Sequence, residues 1–309
     1  MDSEENQDAE LMRKAMQGLG TDDKALIEIA TKRNHKQRLK IRQAYKTMFG
    51  RDLMEDLKKD LSGNYQKTML ALFTEPIEYD VDCLKDAVKG LGTDEDCLIE
   101  ILASRPGWYI NKIKKKYKEK YKNELEEDIK GDTSGNFRKL LVSLLQCNRS
   151  TNQTPDIDEC GKIANELYKA GEDKTGTDES TFRKYFALSS PHELLVISRE
   201  YHKLTGNLLT KAVDKEFSGD IKKLLNTILY VQISPSEYFA TRIREAVHGA
   251  GTNEKILTRV IVTRSEIDLP IMNQYYKQLY GKDMLKDIED DVSGDYKKLL
   301  LALCNKALN

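Results

Sequence analysis

Apolar residues recur along this chain at helical spacing, and the same stripe returns four times. Phe137, Leu140, Leu141, Leu144 and Leu145 fall at i, i+3, i+4, i+7 and i+8, one face of a helix. Ile221, Leu224, Leu225, Ile228 and Leu229 repeat those offsets, as do Tyr296, Leu299, Leu300, Leu303 and Cys304. Tyr65, Met69, Leu72 and Phe73 form the remaining stripe, with Thr68 in the fifth place. Four helices therefore bury equivalent faces. Shorter periodic segments ahead of each predict about four more helices per stripe. Thr21, Thr93, Thr177 and Thr252 sit where N-caps belong, mostly with acids in the first turn. Pro106 and Pro191 suit the first turn of a third helix, and Ser62, Ser134, Ser218 and Ser293 would cap the last one. No segment of useful length alternates with strand period. The expected class is all-α, four homologous repeats of about five helices each.

The spacing between repeats carries more than the fold. Gly18-Leu19-Gly20-Thr21 is followed by Asp60, Gly90-Leu91-Gly92-Thr93 by Asp132, Gly176-Thr177 by Glu216, and Gly249-Ala250-Gly251-Thr252 by Asp291. In every case 39 residues separate the threonine from the acid, which stands just before a Ser-Gly pair. Successive threonines are offset by 72, 84 and 75 residues. The longest offset contains the polar stretch from Cys147 to Pro155, which reads as a linker between two halves of two repeats each. The boundaries expected are a tail at 1–8, repeats at 9–76 and 77–148, a linker at 149–154, and repeats at 155–232 and 233–309.

A helix ends with carbonyls that lack intrahelical partners. A glycine just beyond turns left-handed and splays them outward. Gly-x-Gly does this twice in three residues and leaves a cup of backbone oxygens at the negative end of a helix dipole. Calcium suits such a cup, because it accepts six to eight oxygens in flexible geometry. Asp60, Asp132, Glu216 and Asp291 fall at the end of each fourth helix, where the macrodipole disfavours an acid and a bound cation would compensate. One carboxylate leaves a bound Ca²⁺ with an excess of about one positive charge and with open coordination positions. A phosphate oxygen of an anionic lipid would fill both needs, and several such sites on one face would add by avidity.

At these residues the chain resembles the annexin family, over about residues 8 to 309. The resemblance implies a slightly curved disc of four five-helix repeats with calcium sites on its convex face. It implies metal-ligating carbonyls at Met16, Gly18 and Gly20 with Asp60, at Val88, Gly90 and Gly92 with Asp132, and at Val247, Gly249 and Gly251 with Asp291. The third loop is longer, and there the resemblance implies Gly171, Lys174 and Gly176 with Glu216. Arg33, Arg105 and Arg264 match a family arginine after the second helix, whereas repeat III has Ser189. Thr175 stands where some members insert a Trp into lipid. A tail of about eight residues makes a poor recruiter of partner proteins. Glu100, Arg105, Arg259 and Asp268 match the charged lining of a central channel, with buried ion pairs that fix module packing as the preferred reading.

Composition narrows the alternatives. Net charge is −1 with 33% charged residues, so neither nucleic acid nor an anionic membrane is attracted by charge alone. Apolar runs such as Leu299 to Cys304 fall far below the roughly 18 residues that span a bilayer. No leader pattern opens the chain, and the five cysteines form neither a disulfide framework nor a metal pattern, so cytoplasm is the expected compartment. The Lys-rich stretch from Lys112 to Lys122 reads as the wet face of an amphipathic helix carrying Ile110, Ile113, Tyr117 and Tyr121. Trp108 reads as a packing residue at a helix start. His35, His192, His202 and His248 complete no catalytic motif. The reading is therefore a non-enzymatic, calcium-dependent binder of phosphatidylserine-like anionic membranes, acting in docking, bridging, aggregation or repair and peripheral at membranes when calcium rises. Self-association on the membrane and cytoskeletal contacts are admitted as further partners, and nucleic acid is not. The rivals are a calcium-independent helical scaffold associated with the cytoskeleton, which substituted acids would have favoured, and a hydrolase, for which no nucleophile–base pair is visible.

Overall fold

The stripes lie on the last helix of each of four successive sets of five. The first set is α1 (Glu4–Ala15), α2 (Asp23–Lys32), α3 (His35–Phe49), α4 (Leu53–Asp60) and α5 (Gly63–Leu72). The second is α6 (Pro76–Ala87), α7 (Glu95–Ser104), α8 (Gly107–Tyr121), α9 (Leu125–Asp132) and α10 (Gly135–Leu145). The third is α11 (Ile157–Ala170), α12 (Glu179–Leu188), α13 (Pro191–Thr205), α14 (Leu209–Glu216) and α15 (Gly219–Ile233). The fourth is α16 (Pro235–Val247), α17 (Glu254–Arg264), α18 (Leu269–Tyr280), α19 (Met284–Asp291) and α20 (Gly294–Lys306). This computed structural model describes residues 3–18, 20–90, 92–249 and 251–306, and among them there is no strand. Leu19, Leu91 and Ala250, the middle residues of three Gly-rich loops, lie outside the described residues, as do Met1 and Asp2 of the expected tail.

Burial follows the periodicity. Every stripe residue of α10 and α20 is buried, as are Tyr65, Thr68, Met69, Leu72 and Phe73 of the first set and four of the five in α15. The second helices go further: Cys97 to Ala103 are seven consecutive buried residues of α7. A helix buried all round needs partners on more than one side, and the chain folds into two compact units that supply them. One unit joins residues 1–79 to 239–309, with α2 against α20 and α5 against both α17 and α20. The other spans Asp80 to Tyr238, with α7 against α15 and α10 against both α12 and α15. Each unit thus pairs the second and fifth helices of one repeat with those of another. Sequence position had suggested halves made of repeats I with II and III with IV; the compact units instead group I with IV and II with III. The polar stretch read as a boundary lies inside the second unit.

That stretch is held by an arginine that substitutes for a missing one. Arg33 is paired with Asp8 of α1 at 2.6 and 3.0 Å, and Arg105 with Asp80 of α6 at 2.8 and 3.0 Å. In repeat IV the matching position on the first helix is Phe239, so Arg264 lies over that ring at 4.4 Å and turns to Asp268 at 2.6 and 2.7 Å. Repeat III has neither partner. There Arg149 donates to the Ser189 and Phe186 carbonyls at 2.8 and 3.0 Å, closing the end of α12 from outside the repeat. Burial pushes its pKa down to about 10. The next residues follow it in: the Ser150 amide donates to the Leu188 carbonyl at 2.6 Å, and Ser190 Oγ donates to the Asn152 carbonyl at 2.7 Å.

Several local expectations change. Pro191 opens α13 as expected, but Pro106 precedes the first turn of α8 as its cap residue. Ser62, Ser134 and Ser218 occupy cap positions without a side-chain capping bond. Trp108 is 62% exposed, with Lys112 Nζ 5.1 Å from its ring centroid, because it falls on the wet face of α8 opposite the buried Ile110, Ile113 and Tyr117. The Lys-rich stretch is that amphipathic helix, as read. No described helix is long and apolar enough to cross a membrane.

Candidate functional site

Each repeat presents the same small construction between its first and second helices. The first helix stops at Ala15, Ala87, Ala170 or Val247, and the chain doubles back through the Gly-rich loop. A backbone bond closes the loop: the amides of Asp22, Asp94, Asp178 and Asn253 donate to the carbonyls of Ala15, Ala87, Ala170 and Ala246 at 2.7–2.9 Å. Inside the closure, Gly18 and Gly20 adopt φ of 103° and 86°, a region that costs an L side chain about 1–2 kcal/mol. Gly90 with Gly92 and Gly249 with Gly251 share this backbone, as does Gly176. Among the described residues, no backbone N–H bonds to the carbonyls of Met16, Gly18, Gly20, Val88, Gly90, Gly92, Val247, Gly249 or Gly251.

Repeat III reaches a similar end by another path. Gly171 has φ −125° and ψ −94°, and its carbonyl accepts the Lys174 amide at 3.2 Å, which leaves one lone pair. A Cβ there would lie 3.1 Å from Glu216 Cγ, 3.3 Å from Phe182 Cζ and 3.4 Å from Glu216 Cδ, so a larger residue would have to push one of them aside. Loop and acid are in contact. The longer loop is also tethered at Glu172, which accepts Tyr201 Oη at 2.6 Å and Asn207 Nδ2 at 3.3 Å. In the other repeats the equivalent tyrosines, Tyr45, Tyr117 and Tyr276, donate to Asp56, Asp128 and Asp287 of the fourth helix. Repeat III has Ala212 at that position, so its tyrosine takes an acid from the loop instead.

The four acids stand where the spacing put them, as the last residues of α4, α9, α14 and α19. The threonines do something other than capping. Asp22, Asp94, Asp178 and Asn253, one residue later, accept the capping amide bonds. Thr93 Oγ1 donates to Asp132 Oδ2 at 2.7 Å and lies 3.0 Å from the Asp132 carbonyl. Thr177 Oγ1 donates to Glu216 Oε2 at 2.6 Å, and Thr252 Oγ1 to the Asp291 carbonyl at 3.3 Å. The 39-residue spacing is thus a physical contact in repeats II, III and IV. Among the described residues, no hydrogen bond joins Thr21 to Asp60 in repeat I. Sequence reasoning missed the threonine role, although the invariant spacing counted from the hydroxyl was the signal for it.

One atom shows what the construction lacks. Asp291 Oδ2 is buried and has no hydrogen-bond partner. A buried carboxylate oxygen without a donor is costly unless a cation meets it. The contacts this acid makes with its loop in repeats II, III and IV come from threonine hydroxyls, and oxygen is the ligand type a hard divalent cation prefers and a soft metal does not. This chemistry suits calcium, for which the expected carbonyl ligands are those of Met16, Gly18, Gly20, Val88, Gly90, Gly92, Gly171, Lys174, Gly176, Val247, Gly249 and Gly251. No group of three or more His, Cys, Asp or Glu side chains converges on one point among the described residues, so a metal here depends on the backbone.

Comparison with known proteins agrees with this geometry. The family model described as Annexin matches residues 7–72, 79–144, 163–228 and 238–303. The chain is 44% identical over 297 residues to human annexin A11, covering 96% of this chain and 59% of that protein, so it spans about three-fifths of that relative's length. It is 42% identical over 298 residues to human annexin A13, covering 96% of this chain and 94% of the relative. A solved structure of annexin III superposes with a TM-score of 0.95 at 39% identity, covering 98% of this chain and 94% of that one.

Proposed function

The chain belongs to the annexin family, known for calcium-dependent phospholipid binding, and from that membership we propose that it binds anionic phospholipid membranes through its four Gly-rich loops. Each loop offers backbone carbonyls, and Asp60, Asp132, Glu216 or Asp291 offers the one formal negative charge. Calcium, when bound, supplies positive charge and open coordination positions for a lipid phosphate oxygen. The protein's part is to hold the carbonyls splayed at glycine-only backbone and to hold the acid beside them. Thr93 and Thr177 bond that acid's carboxylate, as outer-shell partners do at many metal sites, and Thr252 bonds the Asp291 backbone carbonyl. The observation that carries the reading is the unpartnered Asp291 Oδ2, on a residue that Thr252 ties to the repeat IV loop. Phosphatidylserine-like headgroups are the proposed lipids and a peripheral cytoplasmic location the proposed setting. We read the chain as a binding protein and not an enzyme.

Asp60→Asn, Asp132→Asn, Glu216→Gln and Asp291→Asn each remove one charge and keep the side chain's size. Each should raise the calcium needed for half-maximal vesicle binding by about tenfold at its own site, and less in the whole molecule because three sites remain. Calcium titration calorimetry with soluble headgroup reads the first quantity, and vesicle sedimentation the second. Unchanged calcium affinity in all four variants would refute the assignment.

A further inference from the structure

In three of the four repeats a cation, a tyrosine and an acid close one corner of the repeat. Arg13 of α1, Lys85 of α6 and Arg244 of α16 meet Asp56, Asp128 and Asp287 at 3.6, 2.9 and 2.6 Å. Tyr45, Tyr117 and Tyr276 donate to the same three acids. Each of these acids shares a short helix with the carboxylate proposed for calcium, and no residue of the Gly-rich loop takes part. Repeat III has neither the cation nor the acid. Tyr168 takes the cation's place, two residues before the carbonyl that closes the loop, and Ala212 takes the acid's.

The tyrosine of that repeat, Tyr201, is fully buried and still needs an acceptor. It finds one inside the loop: its hydroxyl donates to Glu172 Oε2 at 2.6 Å. Asn207, in the turn between α13 and α14, donates to Glu172 Oε1 at 3.3 Å, and Lys215 lies 3.8 Å from the same oxygen on a side chain 64% exposed. This loop is one residue longer than the others between its closing carbonyl and amide, Ala170 to Asp178 against Ala15 to Asp22. Its backbone is held to α11, where the Asp173 amide donates to the Tyr168 carbonyl at 3.1 Å. Among the described residues, Glu172 alone of residues 171–176 bonds to α13 or to the turn after it. Gly171 and Lys174, two of the expected carbonyl ligands, stand on either side of Glu172.

We propose that Tyr201, acting through Glu172, is a positioning residue for calcium at repeat III: it holds the backbone that carries the Gly171 and Lys174 carbonyls in one conformation before the ion arrives. The inference rests on the calcium reading above and gives one of its four sites a control the others lack. The physical reason is ordering cost. A loop fixed in advance loses less freedom on binding. A loop that swung away from α13 would strand the buried Tyr201 hydroxyl without its acceptor. The other three loops carry no such penalty, because their tyrosines are satisfied by the fourth helix. Burial first, and then the bonded Glu172 carboxylate, push the Tyr201 hydroxyl's pKa up, so it remains a donor. Loop and corner are therefore coupled in repeat III and independent in repeats I, II and IV.

The test uses the full chain in two single-acid forms. Asp60→Asn, Asp132→Asn and Asp291→Asn leave Glu216 alone in the first; Asp60→Asn, Asp132→Asn and Glu216→Gln leave Asp291 alone in the second. Calcium calorimetry with soluble headgroup then reads one site at a time. Tyr201→Phe in the first form should weaken calcium binding about three- to tenfold, the range of one lost hydrogen bond. Tyr276→Phe in the second deletes the same hydroxyl from the matching position and should lower the melting temperature by a similar amount, yet leave calcium affinity in place. That contrast separates positioning from a general loss of stability. Asn207→Ala removes the exposed contact to Glu172 without touching the core, and should weaken the first form by about twofold. Without calcium, amide exchange over residues 171–176 should speed up in Tyr201→Phe, while exchange over the repeat IV loop should stay unchanged in Tyr276→Phe. Unchanged calcium affinity in folded Tyr201→Phe and Asn207→Ala, or equal losses of affinity in the two tyrosine variants, would overturn the proposal. No calcium binding by either single-acid form before further substitution would refute the parent reading, and the positioning role with it.

Discussion

The carboxylates of Asp132 and Glu216 are held in place before any ligand arrives, each by a hydroxyl 39 residues earlier in the chain. Fixing a carboxylate in advance removes part of the ordering cost of binding. Thr177→Val keeps the shape of the side chain and deletes the donor. It should weaken calcium binding at repeat III by about tenfold, the lower end for loss of an outer-shell partner, while Thr177→Ser should retain most of it. Calcium calorimetry on the two variants checks this, and equal loss in both would mean packing and not the hydroxyl matters. The neighbouring Asp178 behaves differently. Hydrogen bonds from the Ser180 and Thr181 hydroxyls hold its carboxyl down at about 2, below the ordinary aspartate value. A depressed folded pKa means stability that is present above about pH 4 and is lost as pH falls toward 2. Asp178→Ala should therefore melt below the wild type at pH 7, with the gap closing between pH 4 and pH 2; a constant gap across that window would contradict the assignment. Most of these residues were legible as chemistry in the sequence. The division of labour between the threonine and the residue after it was not, because both are good N-caps and only the path of the loop decides which caps.

At the level of elements, the second and fifth helices make the core, and a linker arginine completes one of them. Arg149→Met leaves the Ser189 and Phe186 carbonyls at the end of α12 without their donor and should destabilise the chain by about 2–6 kcal/mol, from about 1–3 kcal/mol per buried acceptor. Thermal unfolding measures it, and a change under about 0.5 kcal/mol would show that the linker contributes no structure. The stripes of α5, α10, α15 and α20 were read correctly because a helix buried on one face shows its period. The pairing of repeats was not. A stripe says that a face is covered and does not say by what, and the continuous burial of Cys97 to Ala103 was the stronger hint that α7 meets two neighbours. Arg149 was invisible for a related reason: its partners are backbone carbonyls, which carry no sequence signature.

For the molecule as a whole, a net charge of −1 gives no general attraction to an anionic surface, so membrane affinity must be created locally and on demand. On the proposed reading four weak sites carried on one chain create it together, so that loss of a single acid should be tolerated and loss of all four should not. The variant carrying Asp60→Asn, Asp132→Asn, Glu216→Gln and Asp291→Asn should fold, since its acids cap no buried network, and should stay in the supernatant with vesicles at any calcium concentration that binds the wild type. The most direct test is simpler. Wild-type protein is sedimented with phosphatidylserine vesicles across a calcium titration, and chelator is then added. The account predicts binding that rises with calcium and reverses completely on chelation. Binding that ignores calcium, or none at millimolar calcium, would contradict it and leave the four loops as helix connections alone.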